Sequence, residues 1–121
     1  MKYLLLIYHE QGAWDALPEL ERQQMYGEYR KLREELISRG KFVDGSQLQA
    51  TTTAASVRLR EGKDLVTDGP FAETHEQLGG YFLIDVDSIE DAIGIAKRIP
   101  SARTGTVEVR PLMERAAEAN A

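Results

Sequence analysis

The sequence of 121 residues contains no cysteine and only two histidines, His9 and His75. The absence of cysteine excludes disulfides, thiolate metal sites, iron–sulfur ligation and a cysteine nucleophile, and it fits a reducing cytosol. Because there is no His-x-x-His or comparable cluster, we expect no metal site. Any mechanism that depends on histidine must use His9 or His75.

The signatures of nucleotide binding and of serine hydrolysis are also missing. No Gly-x-Gly-x-x-Gly follows a predicted strand, and neither a phosphate loop nor a Gly-x-Ser-x-Gly elbow is present. Nucleotide-dependent and serine-hydrolase chemistry therefore lose their usual sequence support. We expect no cofactor.

Basic runs and long hydrophobic runs are absent as well. With 20 acidic and 15 basic residues the net charge is −5, so we do not expect direct contact with nucleic acid. Residues 3–8 form the apolar run nearest the N-terminus, which is too short for a signal-peptide core or a membrane span. We expect a cytoplasmic protein that makes no membrane contact.

What is present is sufficient for one domain with a buried core. Apolar residues make up 42% of the sequence and charged residues 29%, which is typical of a globular domain of this length. We predict that residues 1–113 form this single domain and that 114–121 form a frayed C-terminal tail.

The first predicted elements are a buried strand and a long amphipathic helix. Strand 3–8 shows no apolar/polar alternation, which indicates that both of its faces are covered. A helix over 18–39 is predicted to end at Gly40 as its C-cap. Its apolar residues recur at spacings of three and four and share one stripe: Met25, Tyr29, Leu32 and Leu36.

The later elements repeat a strand, helix, strand order after an inserted hairpin. Ser88 is predicted to cap the second helix, which Pro100 ends. The strands are predicted at 42–47, 56–60, 65–67, 81–86 and 106–110, with the hairpin turn at 61–64. The inward stripe of the second helix is predicted to be Ile89, Ala92, Ile93 and Ala96.

This order predicts an α+β fold of the ferredoxin-like βαββαβ type with an inserted β-hairpin. In that topology both helices cover one face of the sheet, yet strands 3–8 and 81–86 are apolar on both faces. The chain has no further helix to cover the second face. We therefore expect a homodimer, sheet facing sheet, that encloses a partly apolar cavity for a small molecule.

One motif points to a known family. The sequence reads Asp68-Gly69-Pro70-Phe71-Ala72-Glu73-Thr74, then Leu78-Gly79-Gly80-Tyr81-Phe82-Leu83-Ile84-Asp85-Val86. Together with the Met-Lys-Tyr start and residues 107–111, it resembles the YCII-related family, specifically the Asp-Gly-Pro-Phe (DGPF) branch. The resemblance implies a dimeric α+β barrel and much less about activity.

The resemblance also suggests partners and site residues. Some relatives accompany sigma factors, so a sigma factor is a candidate partner. In other YCII-like proteins a histidine and an aspartate near the dimer cleft have been suspected of acid/base chemistry. The helix over 18–39 contains neither residue type, so that pair cannot be transferred to this chain.

Asp68 and Glu73 are the candidate catalytic carboxylates. Asp68 would act as a general base or ligand anchor and Glu73 as its partner, because paired carboxylates in different environments divide into acid and base. The alternative is structural. An aspartate before Gly69-Pro70 is typical of a side chain that caps a turn, and Phe71 would fill the core beneath it.

Tyr8, His9, Tyr81 and His75 are the candidate ligand-binding residues. The first and third core strands are expected to run parallel, which would place His9 and His75 at opposite ends, roughly 20 Å apart at ~3.3 Å per residue. The two histidines would then not share a metal within one subunit. Solvated loop or strand-end histidines, and core tyrosines, are the structural alternatives.

Two functions remain open at this point. The first is a homodimer that binds a small molecule, with cofactor-free acid/base chemistry of an isomerase, lyase or oxygenase kind by analogy with related barrels. The second is a non-catalytic accessory protein that regulates a partner such as a sigma factor. An open cavity with convergent polar groups would favour the first.

Overall fold

A four-stranded antiparallel sheet forms the centre of the computed structural model, which describes residues 1–71 and 75–114. Its strands are β1 (Lys2–Glu10), β2 (Phe42–Gln47), β5 (Glu76–Asp85) and β6 (Thr106–Pro111), in the order β2-β5-β1-β6. A separate hairpin consists of β3 (Ala55–Arg60) and β4 (Lys63–Asp68). The helices are α1 (Ala13–Ala16), α2 (Glu19–Ser38) and α3 (Ile89–Ala96), with 3₁₀ turns at Thr51–Thr53 and Pro100–Arg103.

The hydrophobic core lies between the helices and one face of this sheet. Alternate residues of β1 and β5 point into it, and Leu5 and Ile84 are fully buried. Leu32 and Leu36 of α2 cover them, together with Ala92 and other residues of α3. The predicted α+β class is confirmed, and both long helices lie on the same side of the sheet.

Helix α2 begins and ends within one residue of its predicted bounds. Pro18 precedes its first turn, where Glu19 and Glu21 complement the helix dipole. Gly40 has a φ of +70°, and its N–H donates to Ile37 O at 3.0 Å while Lys41 N–H donates to Leu36 O at 2.8 Å. This pattern of two hydrogen bonds ends the helix at a glycine, as the sequence predicts.

Helix α3 is capped as predicted but turned differently. Ser88 Oγ accepts a hydrogen bond from Asp91 N–H at 3.2 Å. The predicted inward residues Ile89 and Ile93 are 40% and 39% exposed, whereas Ile95 is buried. The prediction is confirmed for Ala92 and Ala96 and wrong for the two isoleucines, because the buried stripe continues past the helix end through Ile95 to the fully buried Ile99.

The predicted direction of the central strands was wrong. Strands β1 and β5 run antiparallel, so Lys2 lies opposite Asp85 and Glu10 lies opposite Glu76. Because α2 carries the chain back before β2, β5 pairs antiparallel with both β2 and β1. The two histidine segments therefore meet at one end, where Gln11 N–H donates to His75 O at 2.9 Å. The expected separation of His9 and His75 along the sheet is not found.

The hairpin β3–β4, here called the arm, is exposed on both faces. A two-residue turn with positive φ at Glu61 and Gly62 suits the strand twist of a type I′ hairpin and replaces the longer predicted turn. Val57 and Val66 are paired across the strands and are each 64% exposed. The alternation of residues 56–60 is typical of a strand with one exposed face, yet both faces are exposed within the described chain, because no helix packs against the arm there.

Phe71 was also predicted incorrectly. Its side chain is 73% exposed instead of filling the core. The guanidinium carbon of Arg58 lies 4.8 Å from the ring centroid, which is a cation–π contact.

The second face of the four-stranded sheet, here called the open face, carries no helix in the described part of the chain. Leu4, Leu6 and Leu83 project there and are only partly buried. No described helix is long and apolar enough to cross a membrane. The predicted tail, 114–121, lies outside the described residues except for Glu114.

Candidate functional site

The first predicted catalytic carboxylate, that of Asp68, lies away from the core. Asp68 is the exposed last residue of β4 in the arm, followed by Gly69 with a φ of +93°. Gly69 N–H donates to Ala54 O at 2.6 Å, and the Ser56 hydroxyl donates to Gly69 O at 2.9 Å. The base of the arm is thus closed by backbone groups. Glu73 lies outside the described residues.

Three of the four predicted ligand-binding residues have separate partners at the open face or at the end of the sheet. The Tyr8 hydroxyl donates to Glu108 Oε1 at 3.5 Å, and the Tyr81 hydroxyl donates to Asp44 Oδ2 at 3.2 Å. The negative charge of Asp44 raises the pKa of Tyr81. His75 Nε2 lies 2.6 Å from Glu10 Oε1 in a solvent-exposed pair. Tyr8 and His75 border one shallow pocket, and Tyr81 is not part of its lining.

His9, the fourth, lies on the helix-covered side. Its ring centroid is 5.7 Å from that of Trp14, and Trp14 lies 5.3 Å from Tyr26 in a T-shaped arrangement. Burial lowers the pKa of His9, because the charged imidazolium loses its hydration there. His9 is therefore one member of a short row of rings contributed by β1, α1 and α2.

A cleft of about 400 Å³ opens beside this row, between α2 and the β2 edge of the sheet, and we call it the α2 cleft. Its lining combines aromatic, basic and neutral polar side chains with exposed glycine backbone, and among the described residues it includes no carboxylate. The lining residues are Ile7, His9, Trp14, Gln23, Tyr26, Tyr29, Arg30, Arg33, Gly45, Ser46, Gln47, Gly79, Gly80 and Phe82.

The helical wall of the cleft follows from residue spacing. Tyr26, Arg30 and Arg33 recur at intervals of four and three, so they form a stripe next to the buried stripe of Leu32 and Leu36. The sequence contained this signal. The signal alone does not predict a cleft, because polar residues at helical spacing are also typical of a solvated helix face.

The floor of the cleft exists because two residues lack side chains. Gly79 is the extra residue of a β-bulge, where the register shifts between Ile7 and Tyr8. A Cβ atom at Gly79 would lie 2.3 Å from His9 Cδ2, and one at Gly80 would lie 2.9 Å from Ser46 O. Both glycines are therefore required for the imidazole and the edge strand to approach this closely.

The arginines of the cleft differ from those that hold the helices together. Arg103 forms a bidentate pair with Glu28 at 2.7 and 3.1 Å, which lowers the pKa of Glu28. Arg98 pairs with Glu35. Arg30 and Arg33, in contrast, form no ion pair with any residue that the structure describes. Their charges are available to a ligand.

Metal ligands are not grouped in the described chain, since 1–71 and 75–114 contain no cluster of three or more histidine or acidic side chains suited to a cation. His9 instead borders the cleft together with aromatic, neutral polar and arginine side chains. Such a site can orient a small anion and exchange a proton with it.

Comparison with known proteins gives the family. The model of the YCII-related domain matches residues 1–116. An uncharacterised protein of Rhizobium meliloti (strain 1021) is 36% identical over 114 residues, which cover 93% of this chain and 92% of the relative. The match includes β1, the α2 cleft and β6 within one alignment. The chain therefore belongs to the YCII-related family.

Proposed function

We propose that this protein binds a small organic anion in the α2 cleft. The observation that supports the proposal is the charge of the lining, which includes two arginines and a histidine but, among the described residues, no carboxylate. The chain as a whole carries a net charge of −5, whereas the described lining of this cleft is basic. Focused positive charge in a partly apolar cleft attracts anionic ligands.

Cofactor-free acid/base catalysis by His9 forms part of the same proposal. Because burial lowers the pKa of His9, its imidazole is mostly neutral near pH 7 and able to accept a proton. The proton would leave a carbon or oxygen acid of the ligand and return to another atom of the same molecule. This is an isomerisation, and it needs no co-reactant. Arg30 and Arg33 would hold the negative charge that develops on the ligand.

A homodimer joined through the open face is the assembly we propose. Leu4, Leu6 and Leu83 form an apolar strip on this face, with Tyr8 and Tyr81 beside it. Two such faces would bury each other's leucines in a sheet-on-sheet packing and form the dimeric barrel that the family resemblance implies. The α2 cleft would then lie on the outside of the barrel, in contrast to the inter-sheet cavity that the sequence predicts.

The binding proposal can be tested through Trp14, the single tryptophan of the chain. We expect benzoate, succinate or phenyl phosphate, titrated separately, to change the Trp14 fluorescence and to raise the melting temperature. In a variant that combines Arg30→Gln and Arg33→Gln, the affinity should fall at least about tenfold, because charge-assisted hydrogen bonds contribute ~1.5–3 kcal/mol each.

Two control variants remove charge elsewhere. Arg58→Gln with Arg60→Gln takes the same charge from the exposed arm, and Asp68→Asn changes the predicted catalytic carboxylate. Both should leave the affinity for the same probe within about twofold. If the cleft variant binds as tightly as the wild type, or if none of the three anions affects Trp14, the proposal is wrong.

The dimer has its own test. Sedimentation of the wild-type protein should give the mass of two chains, and Leu6→Lys should give one chain, because an ammonium group would be buried between the sheets. Leu20→Lys is the control, since Leu20 is 71% exposed on α2. A wild-type monomer at micromolar concentration would contradict the dimer without affecting the cleft.

A non-catalytic accessory role is the second candidate, and the arm favours it. Val57, Leu59 and Val66 lie on one side of a hairpin and are 64–65% exposed, and a two-stranded hairpin is marginally stable alone. A protein partner such as a sigma factor would cover that side. Calorimetry with a purified sigma factor of the same organism should then show binding that is lost when Val57 and Val66 are replaced by serine.

A further inference from the structure

The α2 cleft combines three features that together define a class of ligand. The first is its floor. At Gly79 the His9 ring occupies the space that a side chain would take, and Gly80 is buried against Ser46 of β2, so the floor presents the imidazole and no bulky aliphatic side chain at these two positions. A ring in the floor accepts a flat molecule closely, whereas a bulky aliphatic ligand contacts it at few points.

The second feature is the number of rings in the walls. Five aromatic or imidazole rings border the cleft, and they form two groups of neighbours. His9, Trp14 and Tyr26 follow one another at 5.7 and 5.3 Å, and the centroids of Tyr29 and Phe82 lie 6.1 Å apart. Rings packed against one another keep their orientation, so a conjugated ligand can stack on them at little cost in conformational entropy.

The third feature is a pair of free guanidinium groups. Arg30 and Arg33 lie one turn apart on α2 and have no ion-pair partner within the described residues. A guanidinium group matches both oxygens of a carboxylate and also stacks on conjugated planes, which an ammonium group does less well. The arginines lie more than ten residues after Glu19, where α2 begins, so the helix N-terminus that favours phosphate is remote.

We infer that the ligand of the α2 cleft is a flat, conjugated carboxylate, held by Arg30 and Arg33 through its carboxylate and by Trp14 and Tyr26 through its conjugated plane. The inference rests on the proposed function, since it names the kind of anion that the cleft takes. It adds two requirements that the charge alone does not impose, namely planarity and a carboxylate head.

Three probes of similar size separate these requirements. Benzoate is flat and charged, cyclohexanecarboxylate is charged but not flat, and benzamide is flat but neutral. We expect benzoate to bind at least about tenfold more tightly than either of the others, measured by Trp14 fluorescence and by melting temperature. A tenfold preference corresponds to ~1.4 kcal/mol.

Tyr26→Leu is the matched variant. Tyr26 is 38% exposed, so the protein should fold, and the preference for benzoate over cyclohexanecarboxylate should fall by at least about threefold while benzamide remains weak. Arg30→Gln should instead reduce the preference for benzoate over benzamide. If each variant reduces only its own preference, the results would support the assignment of the conjugated plane to Tyr26 and of the carboxylate to Arg30.

Several results would overturn the inference. Equal affinity for benzoate and cyclohexanecarboxylate would refute planarity, and equal affinity for benzoate and benzamide would refute the carboxylate. If succinate or phenyl phosphate binds the cleft and none of the three ring probes does, the ligand is an anion of another class. The proposed function then stands and this inference fails. If no anion affects Trp14, both fail.

Discussion

The two faces of the four-stranded sheet are built from the same strands and have opposite surroundings. In β1, Tyr3, Leu5 and Ile7 are 3%, 0% and 4% exposed on the helix-covered face, whereas Leu4 and Leu6 on the open face are only partly buried. The residue types of the central strands do not distinguish the faces. The helices do, because α2 and α3 pack on one side only.

The residue types of the outer strand β6 distinguish the two faces, whereas those of the central strands do not. In β6, Val107 and Val109 pack against the core, while Thr106, Glu108 and Arg110 project from the open face. This alternation is typical of a sheet with one wet face. The open face therefore has a leucine strip at its centre and polar groups at its β6 edge, which is the pattern of an interface core with a polar rim.

The two histidines also differ in their surroundings on the two faces. The helix-covered face opens into the α2 cleft, where His9 has lost part of its hydration. The end of the open face holds His75 and Glu10 as an exposed pair. Exposed ion pairs contribute little stability. The difference supports His9, and not His75, as the histidine of the proposed site.

The largest expected effect on stability is the difference between shortening a fully buried leucine and shortening a partly buried one. Leu5→Ala should lower the free energy of unfolding by about 2–5 kcal/mol, because it leaves a cavity at a fully buried site of the core. Leu6→Ala, the next residue on the opposite face, should cost the isolated monomer about 1 kcal/mol or less. Denaturant unfolding of both variants measures the contrast.

Protein concentration sharpens this test. If two copies cover the open face, the cost of Leu6→Ala should increase with protein concentration, while that of Leu5→Ala should change little with it. Equal losses for the two variants at all concentrations would mean that the faces are equally buried within one chain, and the contrast between them would not hold.

The second effect compares two tyrosine hydroxyls, one on each face. Tyr29 and the fully buried Ser101 share a hydrogen bond of 2.6 Å, and burial raises the pKa of Tyr29. Tyr29→Phe should cost about 1–3 kcal/mol, because it leaves the serine hydroxyl without its partner in the core. Tyr8→Phe removes a hydrogen bond of 3.5 Å to Glu108 and should cost about 0.5 kcal/mol or less.

Thermal unfolding of both tyrosine variants gives the comparison. A loss of stability for Tyr8→Phe that matches the loss for Tyr29→Phe would show that the open face is as dry as the core. That result would favour a dimer whose interface buries the Tyr8 hydroxyl, so the measurement should be repeated with Leu6→Lys in the same chain.

Much of the fold could be predicted from local signals. Gly40 and Ser88 fix a helix end and a helix start through their own backbone and side-chain hydrogen bonds, and such signals depend only on neighbours in sequence. The α+β class and the exposed second face followed from the order of elements and from strand 3–8. Family membership followed from the Asp68 and Gly79 segments and is confirmed by the match over residues 1–116.

The errors concern relations between distant segments. The direction of β5 relative to β1 depends on how α2 returns the chain. Because this direction was predicted wrongly, His75 was expected at the wrong end of the sheet. Ile89 and Ile93 are exposed because the buried stripe of α3 turns toward Ile99, beyond the helix end, and the spacing within the helix does not show this. The α2 cleft was not predicted because it depends on how α2 packs over the β2 edge and on the close approach of His9 to Gly79, and a missing side chain has no periodicity.

The smallest expected effect is a pH dependence at His9. Because burial lowers the pKa of His9 below its ordinary value of 6.5, the folded protein binds fewer protons than the unfolded chain around that pH. The contribution of His9 to the free energy of unfolding should therefore be complete above about pH 6.5. It should be lost progressively as the pH decreases below that value. His9→Gln should reduce the loss of stability that His9 causes at low pH. The loss is measured as the difference between wild type and variant in denaturant unfolding from about pH 7.5 to 5.5.

Benzoate at saturating concentration should also weaken this loss of stability, since a carboxylate in the cleft favours the charged imidazolium. If the variant and the wild type lose stability in parallel over this range, His9 is hydrated as fully as an ordinary surface histidine and the chemical contrast between the two faces disappears.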